Sequence, residues 1–207
     1  MPPKAKFTKE EIIETALNII REEGIDALTA RALGAKLGSS ARPIFTVFQS
    51  MDEVQQEVLK AAGALYDSYI AQALSKERAY EHAFKSVGTQ YILFACREPK
   101  LFQLLFMREK DNPPDFARVL PLIDENYELI LASIRDDYKI SDFLSLRLYK
   151  HLWVYTHGIA SLCATGMCRF TGEEISEMVT DVFSSLLAKF AAEQRSEEME
   201  KKGENND

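Results

Sequence analysis

Apolar residues recur at helical spacing along almost the whole chain. In the segment TKEEIIETALNIIREEG they come in pairs three or four positions apart, which places them on one face of a helix. Thr8 and Glu11 form a capping-box pattern at its start, and Gly24 is a typical C-terminal cap. This stretch predicts one amphipathic helix.

Two shorter helices are predicted next, separated by a tight turn. Thr29 is a good N-cap for a helix that runs to about Lys36 and stops at Gly38. Ser40 can cap a third helix, whose first turn tolerates Pro43 because the missing amide would have no partner there. The segment between the two helices, GSSARP, therefore predicts a turn.

The third predicted helix has two different sides. At about 100° per residue, Ile44 and Phe48 fall on one side, and polar groups together with one ring fall on the other. Two short helices joined by a glycine turn, the second with outward polar groups, indicate a helix-turn-helix that places its second helix in a DNA major groove. The outward residues are Arg42, Phe45, Thr46 and Gln49.

Residues 6 to about 66 resemble the DNA-binding head of the TetR family of bacterial transcriptional regulators. The resemblance rests on the ordered motifs LTARALGAKLG, SSARPIFTVF and DEVQQEVL, which follow the first predicted helix. It implies a head that binds double-stranded DNA. The DNA-contacting residues it implies are Lys6, Thr29, Ser40, Ala41, Arg42, Pro43, Phe45, Thr46 and Gln49.

Two positions depart from the family pattern. The family usually has Tyr where Phe45 stands and Lys where Met51 stands, and both usually hold DNA phosphates. Other groups must then bind the phosphates. We expect Lys4, Lys6, Thr29 and the backbone amides at the starts of the second and third helices to do so.

Long helices are predicted beyond Ser50. We expect them at about 52–74, 77–96, 99–108, 115–137 with a break or kink at Pro121, 141–165 and 172–194, or about nine helices in total. The fold class is all-α. The domains expected are a head at 1–66, a helical effector-binding and dimerisation domain at 67–195, and a charged, disordered tail at 196–207.

The resemblance extends to the C-terminal half. Trp153 and His157, followed by glycine, are similar to a Trp-x-x-x-His-Gly signature of one TetR branch. In the family the last two helices pair with their copies across a two-fold axis, which implies a homodimer on a palindromic operator. The interface residues this implies are Gly158, Phe183, Leu186, Leu187 and Phe190.

A run of aromatic residues lies between head and dimer helices, in YILFACREPKLFQLLFMRE. By spacing alone, such residues are more typical of a core than of a cavity. The resemblance implies a site for a small apolar or aromatic effector. The residues expected around it are Tyr91, Phe94, Phe102, Phe106, Trp153 and His157, although for His157 a locally hydrogen-bonded core position is slightly favoured.

Composition fits this picture with one complication, the charge. The chain of 207 residues has a net charge of −7, but residues 1–51 carry seven basic and six acidic groups, and 27–51 hold no acid at all. The head is therefore the part of the chain best suited to bind a polyanion. No apolar run reaches membrane-span length, no signal peptide precedes the head, and three cysteines form no disulfide framework, so a cytoplasmic protein is expected.

No pattern of catalytic or metal-ligating residues stands out. There is no phosphate-binding glycine loop or nucleophile elbow, and His82, His151 and His157 do not have metal-ligand spacing, so neither enzyme, cofactor nor metal is expected. Two alternatives to a ligand-released repressor remain. One is a regulator that senses thiol oxidation through Cys163 or Cys168; the other is a helical small-molecule-binding or interaction protein that no longer binds DNA.

Overall fold

A computed structural model describes residues 6–74, 83–109, 111–123 and 127–204. Within these ranges the chain forms nine α-helices, two short 3₁₀ turns and no β-strand, which confirms the predicted all-α class. None of the described helices combines the length and apolar character of a membrane span. The helices are α1 (Lys9–Glu23), α2 (Ala30–Lys36), α3 (Met51–Leu74), α4 (Ala83–Arg97), α5 (Pro99–Phe106), α6 (Phe116–Ile123), α7 (Tyr127–Tyr138), α8 (Asp142–Ala164) and α9 (Gly172–Glu204).

The first two helices begin and end where the sequence predicts. Thr8 and Glu11 form a reciprocal capping box on α1: each side chain binds the backbone amide of the other residue. Gly24 ends α1 with φ of 93°, a value that strongly favours glycine. Thr29 caps α2 by accepting a hydrogen bond from the Ala32 amide at 3.1 Å. Local chemistry thus fixes both helices.

The third predicted helix is wrong as an α-helix. Ile44–Thr46 forms a 3₁₀ turn, and the amides of Ile44, Thr46 and Val47 donate to the carbonyls three residues back. The Phe48 amide donates to the Ile44 carbonyl in the single α-type bond of this segment. Ser40 provides no cap to the turn. The chain therefore makes tight turns between Ser40 and Gln49 rather than an α-helix.

The body is organised around α8. This helix packs against α4, α9, α7 and α5, while α3 leads from the head and packs against α4. Helix α1 lies on α3 and α5, so the head rests on the body at the start of α5. One apolar core runs without interruption from Ile12 in α1 to Phe190 in α9. Head and body therefore share buried residues rather than a simple linker.

The structure describes two of the remaining predicted helices only in part. Helix α4 is described from Ala83, and the earlier part of the predicted 77–96 helix lies outside the described residues. Of the predicted 115–137 helix, the structure describes α6, which contains Pro121, and α7. Residues 124–126 between them lie outside the described ranges.

The charged tail is not disordered as far as it is described. Helix α9 continues ten residues beyond the predicted end, to Glu204. Its last turns contain mainly Glu, Gln, Arg, Lys and Met, which are all strong helix formers. Gln194 also holds the turn before α8, because its side chain accepts from the Ser141 amide at 2.8 Å and donates to the Lys139 carbonyl at 3.2 Å. Anchoring and helix propensity together extend the helix.

Candidate functional site

The outward surface of the head depends on a close approach between α2 and the turn after it. A Cβ atom on Gly34 would lie 2.8 Å from both the Ala41 amide nitrogen and the Ser40 carbonyl carbon, so any side chain there would collide with backbone. The Ser39 amide donates to the Gly34 carbonyl at 2.9 Å. Gly38 makes the reversal with φ of 65°. The glycine turn thus places the start of Ser40–Gln49 directly against α2.

The two sides of this segment are as predicted. Ile44 and Phe48 are 0% and 1% exposed and belong to the core, whereas the Phe45 ring is 46% exposed. Arg42, Thr46 and Gln49 are also exposed. We call the surface formed by Arg42, Phe45, Thr46 and Gln49 the outward face.

Hydrogen bonds stabilise the backbone under the outward face. The Thr46 hydroxyl donates to the Pro43 carbonyl at 2.7 Å, and the Gln49 amide donates to a carboxylate oxygen of Glu53 at 2.6 Å. The Glu53 amide in turn donates to the Ser50 hydroxyl at 3.2 Å, which caps the start of α3. The outward face is therefore a fixed surface rather than a loose loop.

Basic groups near the outward face differ in how they are paired. Lys36 forms an ion pair with Glu22 at 2.7 Å, and Lys6 donates to the Ser39 hydroxyl at 3.0 Å. Neither Arg31 nor Arg42 has a hydrogen bond or ion pair with any other residue that the structure describes. Two cationic side chains are thus available to an outside partner on a stretch without acids.

The other predicted contact residues take various positions. Thr29 and Ser40 are exposed, although the Thr29 hydroxyl is already used as the cap of α2. Ala41 and Pro43 are half-buried, and Lys4 lies outside the described residues. Met51 is half-buried and packs against the core, so apolar burial accounts for this residue type at the start of α3.

A cavity of about 720 Å³ opens in the body between α3, α5, α6 and α8. Its wall is mainly apolar, with three polar groups at its edge and floor. The residues that line it are Leu59, Leu104, Leu105, Phe106, Arg108, Glu109, Pro113, Pro114, Val119, Trp153 and His157. The volume is in the range of small-molecule sites.

Only half of the predicted effector residues reach this cavity. Phe106, Trp153 and His157 line it, which agrees with their expected place. Tyr91, Phe94 and Phe102 do not: they are buried behind the wall, and their rings pack among themselves and against Tyr66 and Phe106. Their assignment to the effector site is corrected to a supporting aromatic core, because large rings at helical spacing bury themselves when neighbours allow it.

His157 connects this buried core with the cavity wall. Its Nδ1 lies 2.7 Å from the Tyr91 hydroxyl, and its ring stacks on Trp153 with 5.0 Å between centroids and 8° between planes. Burial lowers the pKa of His157, which favours the neutral ring. With the tyrosine hydroxyl as donor to Nδ1, the ring carries its proton on Nε2. His157 therefore has both of the features expected as alternatives: it is hydrogen-bonded locally, and it lines the cavity.

The lining contributed by α3 and by the Pro113-Pro114 loop was not predicted from the sequence. Leu59 lies on α3, and the prolines lie between the predicted helices 99–108 and 115–137. The available signal was Phe116 after this loop: its ring packs 6.0 Å from Trp153 beside the cavity. A loop flanked by an exposed aromatic residue can cover a site as well as connect helices.

Some of the residues expected at a dimer interface are exposed, whereas others already pack against neighbours within the chain. Gly158 lies on an outer face of α8 and no other atom comes within 4 Å of its Cβ position. Phe143 and Val154 share this face at 67% and 53% exposure. Leu186 and Leu187 on α9 are half-buried in the single chain.

Two of the phenylalanines expected there already pack within the chain. Phe183 meets the Tyr138 ring of α7 at 5.0 Å. Phe190 is 1% exposed, with the Arg147 guanidinium 4.4 Å from its ring centre. Since Phe190 has almost no surface left to bury, its assignment to a dimer interface is corrected. Arg147 also pairs with Glu193 at 2.7 Å, so this corner ties α9 to α8.

No protein-family model matches the chain, and no curated protein matches it either. In the described part of the chain, no group of three or more histidine, cysteine or acidic side chains is placed to hold a metal ion. His82 lies outside the described residues. The TetR resemblance remains a prediction from the motifs, and functional inference depends on the geometry of the outward face and the cavity.

Proposed function

We propose that the chain is a homodimeric DNA-binding regulator of the kind the TetR-like motifs suggest, and in its simplest form a repressor that a small molecule releases from a palindromic operator. The outward face carries this proposal. It presents a ring, two polar side chains and an arginine that has no partner among the described residues, on a segment that lacks acids in an otherwise acidic chain. That is the chemistry of a surface for a polyanion.

Each group of the outward face has a partner on DNA. Arg42 has the donor geometry for a two-bond contact to a guanine edge, and the Phe45 ring suits a thymine methyl group. Thr46 and Gln49 have polar groups that can contact base edges or phosphates. Because the segment is a short 3₁₀ turn, it spans few base pairs, and Arg31 and Lys6 contribute sequence-independent phosphate contacts.

A second copy of the chain supplies the second head. The outer face of α8 combines the exposed Phe143 and Val154 with Gly158, where a helix from outside finds room to approach. Leu186 and Leu187 of α9 add half-buried apolar surface. A two-fold axis through such a face gives two heads for the two halves of a palindrome.

The effector site in this proposal is the cavity lined by Trp153, His157 and Phe106. Its apolar wall suits a flat aromatic or aliphatic body, while Arg108 and Glu109 at the edge can orient a polar end. By linkage, an effector that weakens DNA binding must itself bind less tightly to the DNA-bound protein, and by the same factor.

Selection of genomic fragments by the purified protein, followed by titration at several salt concentrations, tests the DNA proposal. We expect a palindromic sequence to be enriched, with affinity that falls steeply as salt rises because Lys and Arg displace counterions from phosphates. Random fragments, or an affinity that salt leaves unchanged, would favour the alternative of an interaction protein that does not bind DNA.

The single tryptophan gives a direct test of the cavity. Trp153 lies in the wall, so a ligand there should quench its fluorescence. With anilinonaphthalene sulfonate as probe, Phe106→Leu should weaken binding by about 0.5–1.5 kcal/mol, the value of one aromatic contact. Phe94→Leu is the matched control, because Phe94 is buried behind the wall. Equal weakening in both variants would place the probe elsewhere.

A further inference from the structure

The three cysteines of the chain lie at one end of the body, although Cys96 is far in sequence from the other two. Cys96 lies in the last turn of α4, Cys163 in the last turn of α8, and Cys168 in the segment that follows α8. All three are free thiols. The proposed function makes no use of them.

The packing of α4 on α8 determines which cysteines face each other. These two helices run parallel: the Cβ position of Gly88 lies 3.6 Å from the Thr156 methyl group, and the Tyr91 hydroxyl lies 2.7 Å from His157. Both pairs are separated by 66 to 68 positions (157 − 91 and 156 − 88). The same offset places Cys96 of α4 level with Cys163 of α8, and the neighbouring Cys96 thiol contributes to raising the pKa of the Cys163 thiol.

The two thiols differ in access to solvent. Cys96 is exposed and Cys163 is half-buried. Burial and the neighbouring Cys96 thiol raise the pKa of Cys163 to about 12. Cys163 therefore stays protonated near neutral pH, and Cys96 is the sulfur of the pair that a dissolved oxidant reaches.

Cys168 lies near the pair, but it belongs to the turn after α8 rather than to α4 or α8. Gly166, with φ of 69°, turns the chain after α8, and the amides of Met167 and Cys168 both donate to the Leu162 carbonyl at 3.1 and 3.3 Å. This turn brings the exposed Cys168 back towards Cys163. It supplies a matched control, because it is a third thiol at the same end of the body without a place in the α4–α8 contact.

We propose that Cys96 and Cys163 form a redox-sensitive dithiol, which a hydroperoxide converts into a disulfide that joins α4 to α8. The Cys96 thiolate attacks the peroxide oxygen, the O–O bond breaks, and a sulfenic acid and an alcohol or water form. The Cys163 sulfur then attacks the Cys96 sulfur; the S–O bond breaks and water leaves with the Cys163 proton. Two thiols lose two electrons and the hydroperoxide gains them.

The position of this dithiol connects it with the head. Two residues after Cys96, the carboxylate of Glu98 binds Arg21 of α1 at 2.9 Å, and Pro99 then begins α5. A disulfide at Cys96 therefore acts on the segment where α1 rests on the body. An effect on DNA binding rests on the proposed function, whereas formation of the disulfide does not.

Thiol titration of the purified full chain under hydrogen peroxide, with peptide mapping, tests the dithiol. Wild-type protein has three thiols and should retain one, and Cys168→Ser should fall from two to none. Cys96→Ser and Cys163→Ser should each form no disulfide within the chain, and a reductant should restore every lost thiol of the wild type. A mapped link to Cys168, a link between chains, or irreversible oxidation of Cys96 without a link overturns the proposal.

Operator titration of oxidised and reduced Cys168→Ser then tests the connection with the head. We expect a change in affinity of about 5- to 150-fold, the usual range for coupled sites, and no change in Cys96→Ser treated alike. Equal affinities in both redox states would overturn the connection. Absence of operator binding in both states would contradict the proposed function, while the mapped disulfide would still stand.

Discussion

The outward face and the cavity are assembled in opposite ways. All four residues of the outward face come from one stretch of ten, Ser40–Gln49, and neighbouring turns fix their directions. The cavity collects its wall from Leu59 to His157, across four helices and a loop. A surface built from consecutive residues follows local periodicity, whereas a cavity exists only where helices fail to fill the space between them.

The two regions also differ in how readily the surrounding structure adapts to a substitution. The turn behind the outward face is held by backbone contacts at Gly34, which cannot adjust without moving the chain. Behind the cavity wall, by contrast, rings pack on other rings, and rotamers can adapt to small changes. We therefore expect the largest effect of a single substitution at Gly34, where α2 contacts the backbone of this turn.

The strongest disruption of the head is expected from Gly34→Val. Its side chain meets the Ser40 and Ala41 backbone, so the free energy of unfolding should fall by about 3 kcal/mol, the upper end of overpacking costs. Gly63→Val on α3 is the control, since nothing lies within 4 Å of its Cβ position. Urea denaturation measures both. Similar stabilities for the two variants would mean that α2 does not approach the turn this closely.

The next effect concerns DNA contact through the outward face. Arg42→Ala should weaken operator binding by about 1–3 kcal/mol and relax the preference at one base pair of each half-site. Arg118→Ala, which removes an exposed arginine of the body, is the matched control and should leave affinity unchanged. Competition titrations with single-base operator variants distinguish the roles. Equal weakening on every sequence would assign Arg42 to a phosphate.

The smallest effect is expected on the outer face of α8. If a partner helix approaches Gly158, then Gly158→Leu should weaken self-association by about tenfold, or ~1.4 kcal/mol. If no partner helix lies there, the added side chain contacts no other residue, and its only effect is to stabilise α8 through the higher helix propensity of leucine. Gly63→Leu controls for helix propensity. Sedimentation equilibrium measures the association constant, and an unchanged constant places the interface away from Gly158.

Much of the fold follows from short-range signals. The capping box at Thr8, the cap at Thr29 and the reversal at Gly38 are all local, and each lies where the sequence predicts. The inward side of Ile44 and Phe48 was predicted from periodicity, and their burial confirms it. Periodicity nevertheless predicted an α-helix where a 3₁₀ turn forms, because the two helices place side chains on similar faces over only a few residues.

The candidate sites were predictable only in part. The spacing of Trp153 and His157 indicated a shared face, and they stack on each other at the cavity. By spacing alone Tyr91, Phe94 and Phe102 were typical of a core, and only the resemblance placed them at an effector site; they are buried. Sequence spacing identifies the apolar side of a helix, but it does not show whether another helix covers that side. These three rings lie on α4 and α5, and α3 and α8 pack against both of those helices.

The sequence by itself determined the helical class, the caps that begin and end the first helices, and the two sides of Ser40–Gln49. These features depend on interactions among residues a few positions apart, which the order of residues specifies directly. Tertiary structure alone decided which rings line the cavity, that Phe190 is covered by Arg147, and that the Tyr91 hydroxyl lies against His157 across 66 positions. Such contacts depend on how helices pack, and many registers satisfy the same apolar pattern until close packing selects one.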